Sequence, residues 1–312
     1  MQQRDPEITH VAMLMGGWSN EREVSLNSGK ACTRGLEDAG FRVTQIDAQP
    51  DIIDQLRELK PDVAFNALHG KWGEDGHVQA ILETMKIPYT HSGLLASALA
   101  MDKHLCKSAV ARVRVPVVEH QIVPLGDAID HDVMTQPYVV KPVADGSSVG
   151  VHIVDNHNHS LVSMIDSEGF DPESRVMVER YVPGRELTCA VMGNVALGVT
   201  EVVSTEDFYD YAAKYQPGGS EHILPADLSR MVYHRVQKYA LAAHTELGCK
   251  GVTRSDFRYN DTEGADGELI FMEINTQPGM TATSLVPEMA AHAGHSFSEL
   301  LTWMINDAGL DR

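Results

Sequence analysis

The sequence has no excess of positive charge and no long hydrophobic segment. It contains 25 lysine and arginine residues against 44 aspartate and glutamate residues, which gives a formal net charge of −19. A general affinity for nucleic acid or for an anionic membrane needs a basic surface, so neither partner is expected. The N-terminal stretch MQQRDPEITH also lacks the apolar core of a secretory signal. We therefore expect a soluble, cytoplasmic protein.

Cysteine is scarce, and its spacing suits neither a disulfide framework nor a zinc site. The sequence has four cysteines, at Cys32, Cys106, Cys189 and Cys249, and they form no CxxC pair. Scattered cysteines of this kind are typical of reduced, buried thiols in a cytoplasmic protein.

Two glycine-rich nucleotide motifs are also missing. The chain contains no GxxxxGK[ST] motif, which excludes a P-loop nucleotide site. No GxGxxG motif opens the first strand–helix unit, so a dinucleotide site there, and with it a dehydrogenase, is not expected.

The chain does contain a regular alternation of strand and helix patterns up to about residue 100. A buried strand at 8–17 is followed by a helix at 23–40, with Asn20 and Glu23 resembling a capping box. Continued alternation predicts a parallel sheet covered by helices, whose ligands lie beyond the carboxyl ends of the strands. The segments WSNERE (18–23) and LHGKWGEDG (68–76) fall at those ends.

The pattern changes after Met101. Short strands surround one helix, and longer strands then follow, with a hairpin turn predicted at Gly193-Asn194. At 312 residues the chain is long enough for two or three domains. We expect an α/β unit at 1–102 and two α+β units at 103–183 and 184–312.

Oxygen ligands occur at the ends of two C-terminal strands. Glu273 and Asn275 are two residues apart and point to the same face of their strand. Asp256, with Arg254 two residues before it, can end the neighbouring strand. Such a set suits Mg²⁺ that also holds substrate phosphates. The alternative is a solvated strand end.

Three further segments carry candidate chemistry. The turn in KPVADGSSVGV (141–151) can wrap phosphate oxygens with its backbone N–H groups and serine hydroxyls, or can be an ordinary hairpin turn. The segment VERYVPGRE (178–186) can offer backbone groups to an adenine edge, or can merely connect two strands. Neither helical nor strand periodicity accounts for FYDYAAKYQPGG (208–219), which is rich in tyrosine.

These segments, in their order and spacing, resemble one family. LMGGWSNEREVSLNSG, ALHGKWGEDG, MDK, VKPVADGSSVG, YDYAAKY, RSDF and MEINTQPGMTATSLVP are similar to the D-alanine–D-alanine ligases of the ATP-grasp superfamily. The resemblance runs from about residue 10 to the C-terminus. It implies a three-domain ATP-grasp architecture whose N-terminal domain has a doubly wound parallel sheet.

The resemblance also implies an activity. Members of the family join two D-alanines with ATP through a D-alanyl phosphate, and so supply peptidoglycan synthesis. ATP, two Mg²⁺ or Mn²⁺ ions and a homodimer are expected. The alternatives are a D-alanine–D-lactate or D-serine ligase, and a non-catalytic ATP-binding module.

Site residues follow from the resemblance by position. For ATP it implies Lys103, Lys141, Ser148, Glu179, Arg180, Val182, Glu186 and Lys214, and for the metal ions Asp256, Glu273 and Asn275. For D-alanine it implies Glu21, His69, Gly279 and Ser284. For catalysis it implies Arg254 beside Gly279 at the oxyanion, and a chain from Tyr215 through Ser147 to Glu21. The alternative for His69 is a loop histidine bonded to the backbone.

In the family, FYDYAAKYQPGG is a lid that keeps water from the reactive acyl phosphate. Its Lys214-Tyr215 pair favours dipeptide synthesis, because relatives that make D-alanyl-D-lactate commonly have histidine in this loop. Two positions depart from the family pattern. Val143-Ala144-Asp145 stands where many relatives have a polar or basic residue, and Gln277 replaces serine or threonine before Pro278.

Overall fold

A computed structural model describes residues 3–144, 150–155, 161–204, 219–264, 266–281 and 284–312. Four predicted site residues, Ser147, Ser148, Lys214 and Tyr215, lie outside the described residues, as does nearly all of the lid segment.

The N-terminal unit contains the parallel sheet that the alternation predicts. Its strands are β1 (His10–Met15), β2 (Arg42–Asp47) and β3 (Val63–Asn66), in the order β2-β1-β3. Its helices are α1 (Arg22–Asp38), α2 (Ile52–Leu59) and α3 (His77–Met85). Tyr89 adds two isolated bridges beside this sheet, a parallel one to Ala64 and an antiparallel one to Gly309.

The capping box predicted for α1 is wrong. The residue before the helix is Glu21, and its side chain makes no capping hydrogen bond. The hydroxyl of Ser19 donates to the carbonyl of His69 at 2.6 Å and accepts from the N–H of Glu21. The turn before α1 is therefore tied to the loop after β3 instead of to its own helix.

The middle of the chain forms an antiparallel sheet of four described strands. Its strands are β4 (His120–Pro124), β5 (Tyr138–Pro142), β6 (His152–Val154) and β7 (Arg175–Arg180), in the order β4-β7-β5-β6. Two short helices, α6 (Leu125–Asp130) and α7 (Val162–Asp166), cover it. β5 pairs with β6 in antiparallel register, with Val140 opposite His152. Residues 145–149 of the 141–151 segment lie outside the described residues.

The C-terminal part forms a second antiparallel sheet, of five described strands. Its strands are β8 (Arg185–Met192), β9 (Val195–Ser204), β10 (Ser220–Ile223), β11 (Val252–Asn260) and β12 (Glu268–Asn275), in the order β10-β9-β8-β11-β12. Its helices are α8 (Arg230–Glu246), α9 (Leu285–His292) and α10 (Phe297–Asp307). The hairpin at Gly193-Asn194 is confirmed, since Met192 pairs with Val195.

Two connecting helices, α4 (Leu94–Met101) and α5 (Lys103–Arg112), join these parts. Cys106 of α5 packs in one buried cluster with Phe257 and Phe271 of the five-stranded sheet. A second cluster joins Leu36 of α1 to Leu301 of α10. The N-terminal unit is therefore packed directly against the C-terminal one, which brings the loops after β1 and β3 near the end of β12.

All four cysteines are buried and free, which confirms the expectation of reduced thiols. Within the described ranges, no helix is long and apolar enough to cross a membrane.

Candidate active site

The first part of the site is the corner where the loops after β1 and β3 meet. Gly70 has φ +73°, and a Cβ there would lie 2.6 Å from Oε2 of Glu21. Glu21 is 9% exposed and His69 is 5% exposed. The structure thus brings together the carboxylate and the imidazole predicted for the first D-alanine, and Gly70 leaves room for the carboxylate.

Among the described residues, the imidazole of His69 is hydrogen-bonded to two side chains and not to the backbone. Its Nδ1 lies 2.9 Å from Oε1 of Glu74, and its Nε2 lies 3.2 Å from Oγ of Ser28. Oγ of Ser28 also accepts from the N–H of Met280 at 3.3 Å, so its own proton can go to Nε2. Because a carboxylate oxygen only accepts, Nδ1 of His69 is the donor to Glu74.

The second part of the site is the pair of strands β11 and β12. Their antiparallel register places Asp256 opposite Glu273 and Arg254 opposite Asn275. Nε and Nη2 of Arg254 each donate to Asp256 at 2.8 Å, and Thr188 donates to the same carboxylate at 2.7 Å. Four residues predicted from sequence therefore converge on one patch of the sheet.

The chemistry of this patch fits a divalent cation bound with a phosphate. Glu273 lies 3.4 Å from Nζ of Lys103, and Asn275 accepts from a backbone N–H through Oδ1. In the part of the chain that the structure describes, no three His, Cys, Asp or Glu side chains form a metal cluster. The oxygen ligands that the protein itself offers to a metal ion are the carboxylates of Asp256 and Glu273 and the carboxamide of Asn275. Mg²⁺ commonly binds in this way, completing its shell with water and substrate phosphate.

The third part of the site is a buried group of two lysines around one carboxylate. Nζ of Lys141 lies 2.5 Å from Oε1 of Glu179, and Lys107 contacts the other oxygen. The exposed fractions of the side chains are 7% for Lys141, 1% for Glu179 and 0% for Lys107. Burial alone would raise the pKa of Glu179, but the two lysines outweigh it and lower the pKa to about 2.

The sequence analysis did not predict Lys107 as a site residue, although its spacing from Lys103 could have indicated it. Lys103 and Lys107 are four residues apart on α5 and so lie on the same helix face. The carboxylate of Glu179, which is predicted for ATP, contacts both Lys107 and Lys141.

Three further predicted ATP residues, Arg180, Val182 and Glu186, lie where the two antiparallel sheets join. Arg180 forms an ion pair with Glu268 at 2.6 Å, and Val182 is buried against Ile270. The carbonyl of Val182 accepts from Nε of Arg258 at 3.1 Å. The carboxylate of Glu186 lies 3.7 Å from the same guanidinium. These contacts tie the connection between the sheets to β11 and β12.

Gly279 and Ser284 lie together after β12. A Cβ at Gly279 would be 3.1 Å from Oγ of Ser284, and that hydroxyl accepts from the N–H of Thr281 at 2.9 Å. Ser284 also precedes α9 as its N-cap residue. The segment therefore presents a hydroxyl beside a glycine at the end of the carboxylate-bearing strand.

The fold and this site define a class of protein. A parallel-sheet unit is followed by two antiparallel sheets, with lysines of α5 and β5 near carboxylates of β7 and β12. This is the architecture of the ATP-grasp enzymes, and the solved structures that resemble the chain share it.

Comparison with known families identifies the group within that class. A family model described as D-ala D-ala ligase C-terminus matches residues 109–306, and one described as D-ala D-ala ligase N-terminus matches residues 48–92. The chain belongs to the D-alanine–D-alanine ligase family.

Individual proteins agree with this assignment. A D-alanine–D-alanine ligase of Parvibaculum lavamentivorans is 55% identical over 306 residues, covering 98% of this chain and 99% of the relative. The structure of a D-alanine–D-alanine ligase from Bacillus anthracis complexed with ATP matches with a TM-score of 0.78 and 29% identity, over 96% of this chain and 97% of that one. The VanG D-Ala:D-Ser ligase from Enterococcus faecalis matches with a TM-score of 0.76 and 29% identity, over 95% and 98% of the two chains.

Proposed function

We propose that the protein joins two molecules of D-alanine into D-alanyl-D-alanine while ATP is converted to ADP and phosphate, and that this product supplies peptidoglycan synthesis. The observation that carries the proposal is the register of β11 and β12, with Arg254 and Asp256 opposite Asn275 and Glu273. The 55% identity to a named ligase across nearly the full length of both chains supports it.

The first step is phosphoryl transfer. A carboxylate oxygen of the first D-alanine attacks the γ-phosphorus of ATP, and the bond from that phosphorus to ADP breaks, which leaves D-alanyl phosphate. This step depends on positioning and on charge neutralisation. Lys103 and Lys141 supply positive charge at the phosphates. Asp256, Glu273 and Asn275 would hold two Mg²⁺ or Mn²⁺ ions, which when bound neutralise phosphate charge.

The second step is acyl transfer. The unprotonated amine of the second D-alanine attacks the acyl carbon. Phosphate then leaves from the tetrahedral intermediate, and the nitrogen releases one proton as it becomes the amide. Arg254 and the backbone N–H of Gly279 stabilise the oxyanion. Glu21 binds the ammonium of the first D-alanine beside His69, and Ser284 binds the carboxylate of the second.

Further parts of the proposal concern four residues that lie outside the described ranges. Ser148 binds phosphate oxygens. Tyr215 hydrogen-bonds with Ser147 and, through Ser147, connects the lid to Glu21. Lys214 binds the γ-phosphate.

The proposal also covers the domains and the assembly. The domains run over 1–102, 103–183 and 184–312, a division that the three separate sheets support. The protein works as a homodimer in the cytoplasm.

A ligase with another acceptor is the second candidate. The fold itself does not select the acceptor, because the chain is similar both to a D-alanine–D-alanine ligase and to a D-Ala:D-Ser ligase at nearly equal TM-score. The Lys214-Tyr215 pair in the sequence favours D-alanine. A non-catalytic module has no need of Arg254 beside the carboxylates.

The test is product mass. The purified protein is incubated with ATP, Mg²⁺ and D-alanine, alone or together with D-serine or D-lactate, and the products are read by mass spectrometry. We expect D-alanyl-D-alanine as the main product in every mixture. A main product that contains serine, or an ester with lactate, would move the assignment to the second candidate. No product in any mixture would overturn the assignment as a ligase.

A further inference from the structure

Gln277 lies two residues after the end of β12, and its side chain reaches into the N-terminal unit. It is 1% exposed. Its Oε1 accepts from Nδ2 of Asn66 at 2.6 Å, and its Nε2 donates to the carbonyl of Leu68. These partners precede it by 211 and 209 residues. One amide therefore bridges the end of the metal-site strand and the end of β3.

Asn66 extends this bridge into the loop that carries His69. Asn66 is completely buried. Its Nδ2 also donates to the carbonyl of Gly73 at 3.1 Å, and its Oδ1 accepts from the N–H of Leu68 at 3.2 Å. Both amides are thus hydrogen-bonded, as buried polar groups need to be. Their joint effect is to hold the loop on both sides of His69.

The backbone of Gln277 is hydrogen-bonded to the end of β12 in the C-terminal unit. Its backbone N–H donates to Oδ1 of Asn275 at 2.8 Å. The same residue therefore contacts a proposed metal ligand through its backbone and the loop of the first-substrate corner through its side chain. A serine or threonine, which the family more often has here, ends two heavy atoms nearer the backbone. Such a side chain cannot make both amide contacts from this position.

We propose that Gln277 is a positioning residue for ligation, which sets the distance between the loop that holds the first D-alanine and the strand that carries the proposed metal ligands Glu273 and Asn275. This inference rests on the function proposed above. Attack requires reacting atoms about 3–3.5 Å apart, and a misplacement of about 1 Å can cost about a hundredfold in rate. A bridge of this kind therefore acts on turnover more than on the binding of ATP.

The experiment compares Gln277→Met with a matched control, Gln237→Met. Methionine keeps the approximate size of glutamine but leaves Asn66 and the Leu68 carbonyl without their partner. Gln237 also donates across two elements, from α8 to the carbonyl of Leu197 at 2.8 Å, but away from the site. Melting temperature, ATP dissociation constant, kcat and the ratio of phosphate to dipeptide are measured for both variants and for the wild-type protein.

For Gln277→Met we expect kcat to fall by about ten- to a hundredfold while the ATP dissociation constant stays within about twofold. Phosphate should exceed dipeptide, because a misplaced acyl phosphate is lost to water. Gln237→Met should keep the wild-type kcat and one phosphate per dipeptide, even with a lower melting temperature. A purely structural role of Gln277 would leave the phosphate ratio unchanged.

Wild-type kcat and product ratio in folded Gln277→Met would overturn the inference, as would equal losses in Gln237→Met. If Gln277→Met does not fold, Gln277→Asn gives the same test. It keeps the amide but ends one carbon nearer the backbone, so it cannot make both contacts from this position, and a wild-type kcat in this variant would also overturn the inference. Absence of dipeptide with the wild-type protein would instead overturn the proposed function.

Discussion

Lys107 of α5 and Glu179 of β7 form an ion pair in which both side chains are almost completely buried. The other oxygen of Glu179 binds Lys141 of β5. One turn before Lys107, the ammonium of Lys103 lies 3.4 Å from Glu273 of β12. A single helix therefore connects to both antiparallel sheets through charged groups, and it carries Lys103, one of the lysines proposed for the ATP phosphates.

Removal of Lys107 should destabilise the fold strongly. Lys107→Met leaves Glu179 with one lysine in a buried place. Breaking a buried pair from one side typically costs about 3–5 kcal/mol. We expect a loss of this size in the free energy of unfolding, measured by urea denaturation. Lys238→Met, on the exposed face of α8, should change it little. Equal stability of the two variants would show that the buried pair contributes little.

The contribution of Glu179 to stability should depend on pH. Its pKa in the folded protein is about 2, against an ordinary value of 4.5. The folded state therefore favours the ionised form, and the stabilisation is complete above about pH 4.5 and is lost as the pH falls toward 2. The wild-type protein should be more stable than Glu179→Gln at pH 7, and this difference should shrink on acidification. Urea denaturation at several pH values measures it, and a difference that stays constant with pH would contradict the prediction.

Arg254 should matter for turnover. Loss of one oxyanion donor typically reduces kcat by about 10²–10³-fold. We expect a reduction in this range for Arg254→Ala, with D-alanine and ATP near saturation. Arg235→Ala on α8 is the control, since Arg235 donates to the carbonyl of Asp266 far from the carboxylate patch. A loss of less than about threefold in Arg254→Ala would remove Arg254 from the proposed oxyanion site.

Glu273 should set the requirement for the divalent cation. Glu273→Gln removes one of the two carboxylates of the patch, and we expect the Mg²⁺ concentration for half-maximal activity to rise about tenfold or more. Glu221→Gln, an exposed change on β10 of the same sheet, should leave it unaltered. The measurement is activity against free Mg²⁺ at saturating ATP. An unchanged Mg²⁺ dependence in Glu273→Gln would contradict the ligand assignment.

The sequence was sufficient for features that depend on local patterns. The parallel sheet follows from strand and helix alternation, and the turn at Gly193-Asn194 follows from turn residues between two strand patterns. The meeting of Asp256 with Glu273 could be expected because the two strands are adjacent along the chain. Features of this kind can be predicted from the sequence without knowing how the helices and strands pack. The prediction that Asp256 ends its strand was wrong, since it lies in the middle of β11.

Features that depend on distant contacts were not predicted. Lys107 looks like an ordinary helix lysine until Glu179, 72 residues later, is placed beside it. Gln277 could be recognised as a departure from the family, but its partner Asn66 is 211 residues away. The failed capping box has the same cause, since Ser19 bonds to His69 across the site. In each case tertiary packing decides the partner.

The most direct test of the account follows oxygen from D-alanine to phosphate. D-alanine labelled with ¹⁸O in its carboxylate is incubated with the protein, ATP and Mg²⁺, and both products are analysed by mass spectrometry. Attack of the carboxylate on the γ-phosphorus, followed by loss of phosphate to the second amine, places one ¹⁸O in the phosphate for each D-alanyl-D-alanine formed. Dipeptide accompanied by unlabelled phosphate would contradict the acyl phosphate route, and labelled phosphate without dipeptide would contradict the ligation itself.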